Sequence, residues 1–210
     1  MASTTLPPII PLFPLPNVVF FPKMPMPLHV FEPRFRKMTE DSLEGDRVIG
    51  MVLLKPGWEP DYEGRPPVYP VGCAGRIEQS EKLPDGRYNL VLRGTVRFRI
   101  DFEHSGAEYR RASVVPLEDV IEDKALLDPM RKKVLAATGE AADGPSALIL
   151  QNELPHDVFV NALAQTMALS PVERQSLLDC DGVLARYERL LQILEFLGLE
   201  QKSGHRKVVH

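Results

Sequence analysis

The sequence is poor in several features that would define a function. It holds two cysteines in 210 residues. Cys73 and Cys180 stand too far apart to suggest a disulfide framework or a zinc site, so two reduced thiols in or near cores are expected. It has no excess of basic charge: 25 Lys and Arg against 29 Asp and Glu leave a net charge of -4. A global pull towards nucleic acid or anionic lipid is excluded, although local basic stretches remain open. No apolar run reaches the ~20 residues that span a bilayer. The opening Met-Ala-Ser-Thr-Thr lacks the basic n-region and apolar h-region of a secretory signal. The expectation is a cytoplasmic protein with no membrane partner.

Catalytic motifs are missing too. There is no G-x-x-x-x-G-K-[ST] loop to cradle phosphates, no H-E-x-x-H pair and no G-x-S-x-G elbow. The histidines (His29, His104, His156, His205 and His210) are scattered, so no metal and no cofactor are expected. His29 reads as a core or half-buried histidine with its hydrogen bonds satisfied. A triad can still be assembled by the fold from distant residues. A hydrolase would be marked by an accessible nucleophile hydrogen-bonded to a base.

Proline, by contrast, is abundant. Pro7, Pro8, Pro11, Pro14, Pro16, Pro22, Pro25 and Pro27 all precede residue 28. Proline lacks a ladder donor and breaks helices, so this segment must be extended. The apolar residues between (Ile9, Ile10, Leu12, Phe13, Leu15 and Val18–Phe21) argue for strand, turn, strand over a disordered ligand. Pro33 suits the first position of a helix over Arg34–Ser42. Arg47–Leu54 reads as a buried strand. Pro56–Pro67 is a loop carrying Trp58 and Tyr62.

Tyr69, Val71, Cys73, Gly75 and Ile77 alternate as one strand face. Pro84-Asp85-Gly86 is a hairpin signal. Tyr88–Leu92 follows. Val96, Phe98, Ile100 and Phe102 then alternate with Arg97, Arg99 and Asp101, and Glu108–Val115 adds a further strand. After Pro116 the pattern becomes helical. One helix or a pair broken at Asp128-Pro129 is expected over Glu118–Ala142, and another helix over Asp157–Ala168. Ser170-Pro-Val-Glu173 forms a capping box. A last helix follows, capped by Asp181 and stopped by Gly198. The layout expected is α+β: a β-rich subdomain over 1–117, a helical bundle over 118–200 and a frayed tail over 201–210.

Several stretches carry a family resemblance. They are Ile10-Pro-Leu-Phe-Pro-Leu-Pro-Asn-Val-Val-Phe-Phe-Pro22, Pro27-Leu-His-Val-Phe-Glu-Pro-Arg-Phe-Arg36, Val71-Gly-Cys-Ala74, Asp85-Gly-Arg87, Gly94-Thr-Val-Arg-Phe-Arg-Ile100 and Ser170–Asp179 with Arg186–Leu191. In this order and spacing the sequence resembles the N-terminal, substrate-binding domain of Lon proteases, in a form closer to free-standing Lon-domain proteins. The resemblance covers about Pro8 to Leu197. It implies a PUA-like pseudo-barrel followed by a small helical bundle, and a partner that is an unfolded protein or peptide. It also implies that the ATPase and Ser-Lys peptidase machinery of full-length Lon lies outside this sequence, so no catalysis is expected.

Two candidate peptide-binding features stand out. Phe20, Phe21, Met24 and Met26 are packed between prolines, and an exposed Met-rich surface suits varied partners. The competing reading has them close one end of the barrel. Trp58 and Tyr62 are the second feature, against a loop merely tucked onto the sheet. An unfolded segment would lie in a groove between barrel and helices, held by apolar contact and sheet-edge hydrogen bonds. The alternative is RNA binding, since PUA-like folds occur in RNA-binding proteins. Strand period puts Arg97 and Arg99 on one solvated face, and the acidic chain weighs against nucleic acid. Glu32 and Arg34 are read as a structural pair at the first helix.

Overall fold

A computed structural model describes residues 6–138 and 145–205. The chain divides into two compact units, Met1–Glu118 and Asp119–His210.

The first unit is built on a mixed six-stranded sheet. Its strands are β1 (Ile9–Leu15), β2 (Pro25–Val30), β3 (Val48–Leu53), β4 (Val71–Lys82), β5 (Tyr88–His104) and β6 (Arg111–Leu117), in the order β2-β5-β4-β3-β1-β6. A further β5–β6 pairing closes β1, β3, β4, β5 and β6 into a barrel. β1 and β3 run parallel, whereas every other pairing is antiparallel. Helix α1 (Pro33–Glu44) fills the crossover between β2 and β3, with Pro33 in its first turn. Ile10, Leu12, Val52, Ala74, Phe98 and Ala112 form the centre of the core.

β5 is a single strand of 17 residues, where the sequence suggested two pieces parted by Gly94. Its length lets it serve two neighbours in succession. Tyr88–Arg93 pairs with β2, and Arg97–His104 pairs with β6. The β4–β5 hairpin turns at Pro84-Asp85-Gly86, where Gly86 has φ 82° and donates its N–H to the Leu83 carbonyl at 2.9 Å. Only glycine adopts that conformation without strain.

Beyond the closed barrel, β2, the first half of β5 and the end of β4 form a three-stranded tab. Met26, Leu28 and Val30 of β2 pair with Leu92, Leu90 and Tyr88. Pro25 and Pro27 alternate with them and cannot donate to any strand outside. Prolines so placed blunt an edge against unwanted pairing.

The second unit comprises α2 (Lys124–Thr138), α3 (Pro145–Gln151), α4 (His156–Thr166), α5 (Pro171–Leu178) and α6 (Val183–His205). α2 is not broken at Asp128-Pro129: the one backbone bond that Pro129 cannot donate would go to the carbonyl of the exposed Ala125, which water can satisfy. The capping box at Ser170 and Glu173 forms as the sequence indicates. α6 runs on through Gly198, whose place in the helix costs about 1 kcal/mol relative to alanine. At its start the Glu122 carboxylate accepts from the Leu184 N–H at 3.0 Å. The tail expected over 201–210 is helical to His205, and its last five residues lie outside the described residues.

Arg186 is fully buried within this unit. Its guanidinium donates to both Asp119 carboxylate oxygens at 3.0 Å, to Asn161 Oδ1 at 2.7 Å and to the Leu177 carbonyl at 3.0 Å. A buried cation needs such a full set of acceptors.

Candidate protein-recognition surface

Phe20, Phe21, Met24 and Met26 are core residues, each at most 8% exposed. They form no exposed surface, which corrects the reading that made them a binding patch. The reason lies in two glycines that face each other across the hairpin, Gly75 on β4 and Gly94 on β5. The Phe20 ring occupies the space above Gly75, and the Phe21 carbonyl lies where a Cβ on Gly94 would stand. The turn is tied there by two bonds. Lys23 N–H donates to the Gly94 carbonyl at 2.8 Å, and Gly94 N–H donates to the Met24 carbonyl at 2.9 Å. The segment therefore plugs a notch in the barrel wall.

Arg97 is only 1% exposed, whereas Arg99 is exposed. The two do not make a solvated arginine face, which corrects the nucleic-acid reading. Strand parity decides which side of a sheet a residue takes, not whether that side is open along its length. Past Ile100 the alternation itself fails. Ile100 pairs with Val114 and Phe102 with Ser113, so Asp101 is an extra residue that turns Phe102 outwards to 62% exposure.

Trp58 and Tyr62 remain half-exposed. Their rings meet edge to face with centroids 5.3 Å apart. A short 3-10 turn, Glu59–Asp61, joins them. The loop is anchored to the start of α1. Tyr62 Oη donates to Glu32 Oε1 at 2.8 Å, and Arg34 Nη1 donates to the Tyr62 carbonyl at 3.1 Å. Arg34 pairs with Glu32 at 3.0 Å and lies over both the Tyr62 and Phe35 rings, 4.9 and 4.5 Å from their centroids. Burial, then the adjacent Glu32, pushes the Tyr62 hydroxyl above its ordinary value of 10.0. Such a loop presents an aromatic pair on a held backbone, with little entropy left to lose on binding.

The outer face of the tab is a shallow trough of about 530 Å³ lined by Pro27, His29, Gln79, Glu81, Asn89 and Val91, among others. His29 is exposed here, not half-buried in a core as the sequence suggested. It hydrogen-bonds Asn89 Oδ1 at 2.8 Å, and Asn89 Nδ2 donates to Glu81 at 2.9 Å. Phe31, 60% exposed, stacks beside His29 at 6.2 Å. Sequence reading missed this surface, because it depends on a register of three strands that no local pattern reveals.

Two hydroxyls meet a histidine among the described residues. The Tyr187 Oη lies 3.1 Å from His156 Nδ1, and His156 Nε2 lies 3.0 Å from Asp128 Oδ1, but Tyr187 is fully buried and burial pushes its hydroxyl well above the ordinary value, so it offers no accessible nucleophile. Ser113 Oγ and His104 Nε2 lie 2.8 Å apart on the outer sheet face. Among the described residues no carboxylate orients the other ring nitrogen, and none of the cavities described here is lined by the pair. The arrangement is a cross-strand hydrogen bond and lacks the remaining parts of a hydrolytic site. The described residues also hold no group of three or more His, Cys, Asp or Glu that could ligate a metal, and no helix of the described residues is long and apolar enough to cross a membrane.

Comparison with known proteins gives the surface its context. Residues 9–195 match the family model of the ATP-dependent protease La (LON) substrate-binding domain. The chain belongs to the Lon substrate-binding domain family. Its relatives include Lon protease of Flavobacterium johnsoniae, 28% identical over 95% of this chain and 25% of that protein, and Lon protease 2 of Herpetosiphon aurantiacus, 30% identical over 92% and 24%. The chain thus spans about a quarter of the length of the curated relatives it matches. Among solved structures, a Lon N-terminal domain protein from Xanthomonas campestris aligns with a TM-score of 0.66 at 27% identity, covering 88% of this chain and 97% of that one. The N-terminal domain of a Mycobacterium avium complex Lon protease shares the fold, with a TM-score of 0.69 at 17% identity over 89% and 98%.

Proposed function

We propose that this Lon-type domain is a non-catalytic recognition module for unfolded proteins or peptides, serving cytoplasmic protein quality control as an adaptor. The observation that carries the reading is the match to a substrate-binding family along residues 9–195. The Trp58–Tyr62 pair supports it as a surface, being partly exposed, aromatic and held by Glu32 and Arg34. An extended apolar segment lays a side chain against the two rings and gains by their desolvation, as aromatic anchors do at other interfaces. The blunted β2 edge makes strand addition there unfavourable, so side-chain contact supplies most of the affinity.

The test is titration of the whole chain with a panel of denatured apolar polypeptides. Micromolar binding is expected. Loss of binding in a Trp58→Ala, Tyr62→Ala variant that keeps its fold would support the site. Absence of binding by the folded wild type would refute the function.

A further inference from the structure

A second exposed surface lies on the outer face of β1, β6 and β5, apart from the Trp58–Tyr62 loop. Ile9 pairs with Ser113, and Ser113 pairs with Phe102, so the three lie side by side across three strands. Val115 is two residues beyond Ser113 on the same face. Ile9, Phe102 and Val115 are 44%, 62% and 51% exposed. Phe102 is there only because of the bulge at Asp101. Bulges that re-aim a side chain are features of sites, and a cluster of exposed apolar residues marks interaction surfaces.

Charge frames the cluster. Arg99 pairs in register with Val115, and Arg111 pairs with His104 and Pro11, so the two arginines bracket Ile9 and Phe102 along the strands, with Val115 beside Arg99. Both are exposed. Arg34, Arg87, Arg93 and Arg110 each hold a carboxylate in an ion pair. Among the described residues Arg99 and Arg111 pair with no carboxylate. Arg111 lines a small pocket with Asp41, Asp46 and Tyr109 and lowers the Asp41 carboxyl through its charge without pairing with it. From residue 111 to residue 115 a strand rises about 13 Å.

We infer that this face docks an extended protein segment with an apolar side chain flanked by two carboxylates. The geometry specifies the pattern. In an extended chain, residues i, i+2 and i+4 point the same way and span the same ~13 Å. An acidic residue at i meets one arginine, an apolar residue at i+2 sits against Phe102, Ile9 and Val115, and an acidic residue at i+4 meets the other arginine. Single-stranded nucleic acid is disfavoured by the aliphatic Ile9 and Val115, which offer no ring on which a base could stack.

The experiment uses the full chain and three fluorescent peptides of this pattern, with the flanking positions acidic, amide or lysine. Anisotropy at low salt is expected to show the acidic peptide binding about tenfold tighter than the amide one, a difference that added salt erodes. Phe102→Ser weakens the acidic peptide. The double variant Arg99→Glu, Arg111→Glu reverses the preference in favour of the lysine peptide, a gain that misfolding cannot mimic. Trp58→Ala, Tyr62→Ala leaves this binding unchanged, which separates it from the function proposed above. Equal binding of acidic and amide peptides, or an unreversed preference in the double variant, would overturn the inference. So would displacement of the peptide by a single-stranded oligonucleotide.

Discussion

Two stretches of the first unit are similarly rich in large side chains and meet opposite fates. Phe20–Met24 lies in the barrel wall, whereas Trp58–Tyr62 stays at the surface. Both are loops interrupted by proline, so composition does not distinguish them. What differs is the surface each one meets. The first crosses two glycines that face each other, Gly75 and Gly94, and no side chain keeps it away. The second meets the polar start of α1 and is held at arm's length by Glu32 and Arg34. Burial follows from the receiving surface as much as from the residues received.

The largest break in this comparison comes from Phe20→Ala. It leaves a cavity above Gly75 and is expected to cost about 3–5 kcal/mol, lowering the melting temperature by on the order of 10 °C in calorimetry. Gly94→Ala tests the same notch from the other side. A Cβ there meets the Phe21 carbonyl, and a loss of about 1–3 kcal/mol in urea unfolding is expected. Tyr62→Phe removes the bond to Glu32 and costs about 1 kcal/mol by the same measurement. Trp58→Ala, at a half-exposed site, is expected to change stability by less than about 1 kcal/mol while abolishing peptide binding. A large stability loss at Trp58 would erase the distinction between the two stretches.

A pH titration sharpens it further. Tyr62 ionises above its ordinary 10.0, so the stability it lends is complete below pH 10 and disappears as pH rises through the raised value. Ionised Tyr62 beside Glu32 places two anions together, and the loop releases. Trp58 is the sole tryptophan, so its fluorescence reports the loop alone. The change is expected at lower alkalinity than loss of the sheet signal in circular dichroism. On the acid side, Lys37 holds Asp41 below its ordinary 3.8, and Lys82 with Tyr88 holds Glu40 below 4.5. Their contribution is present above pH 4.5 and fades as pH falls through the lowered values.

Much of the fold was legible because it is locally encoded. Pro33 opens α1, the Ser170 box opens α5, and Pro84-Asp85-Gly86 turns the hairpin. The family resemblance rested on the same local motifs. The misreadings in the sheet share a cause, which is register. The facing of Gly75 by Gly94, the bulge at Asp101 and the tab that exposes His29 all require knowing which residues lie opposite each other. A period of two predicted Phe102 inside and Arg97 outside, and one extra residue with uneven cover reversed both. The Glu32–Arg34 pair was legible, but its hold on Tyr62 was not, since 28 residues separate Arg34 from the carbonyl it grips.

The central claim is that recognition belongs to the held aromatic loop and not to the proline-flanked aromatics in the wall. It is tested most directly by fluorescence titration of a denatured apolar polypeptide against wild type and the Trp58→Ala, Tyr62→Ala variant, with the polypeptide carrying the label. Micromolar binding by wild type and none by the folded variant is the predicted result. Undiminished binding by the variant would contradict it.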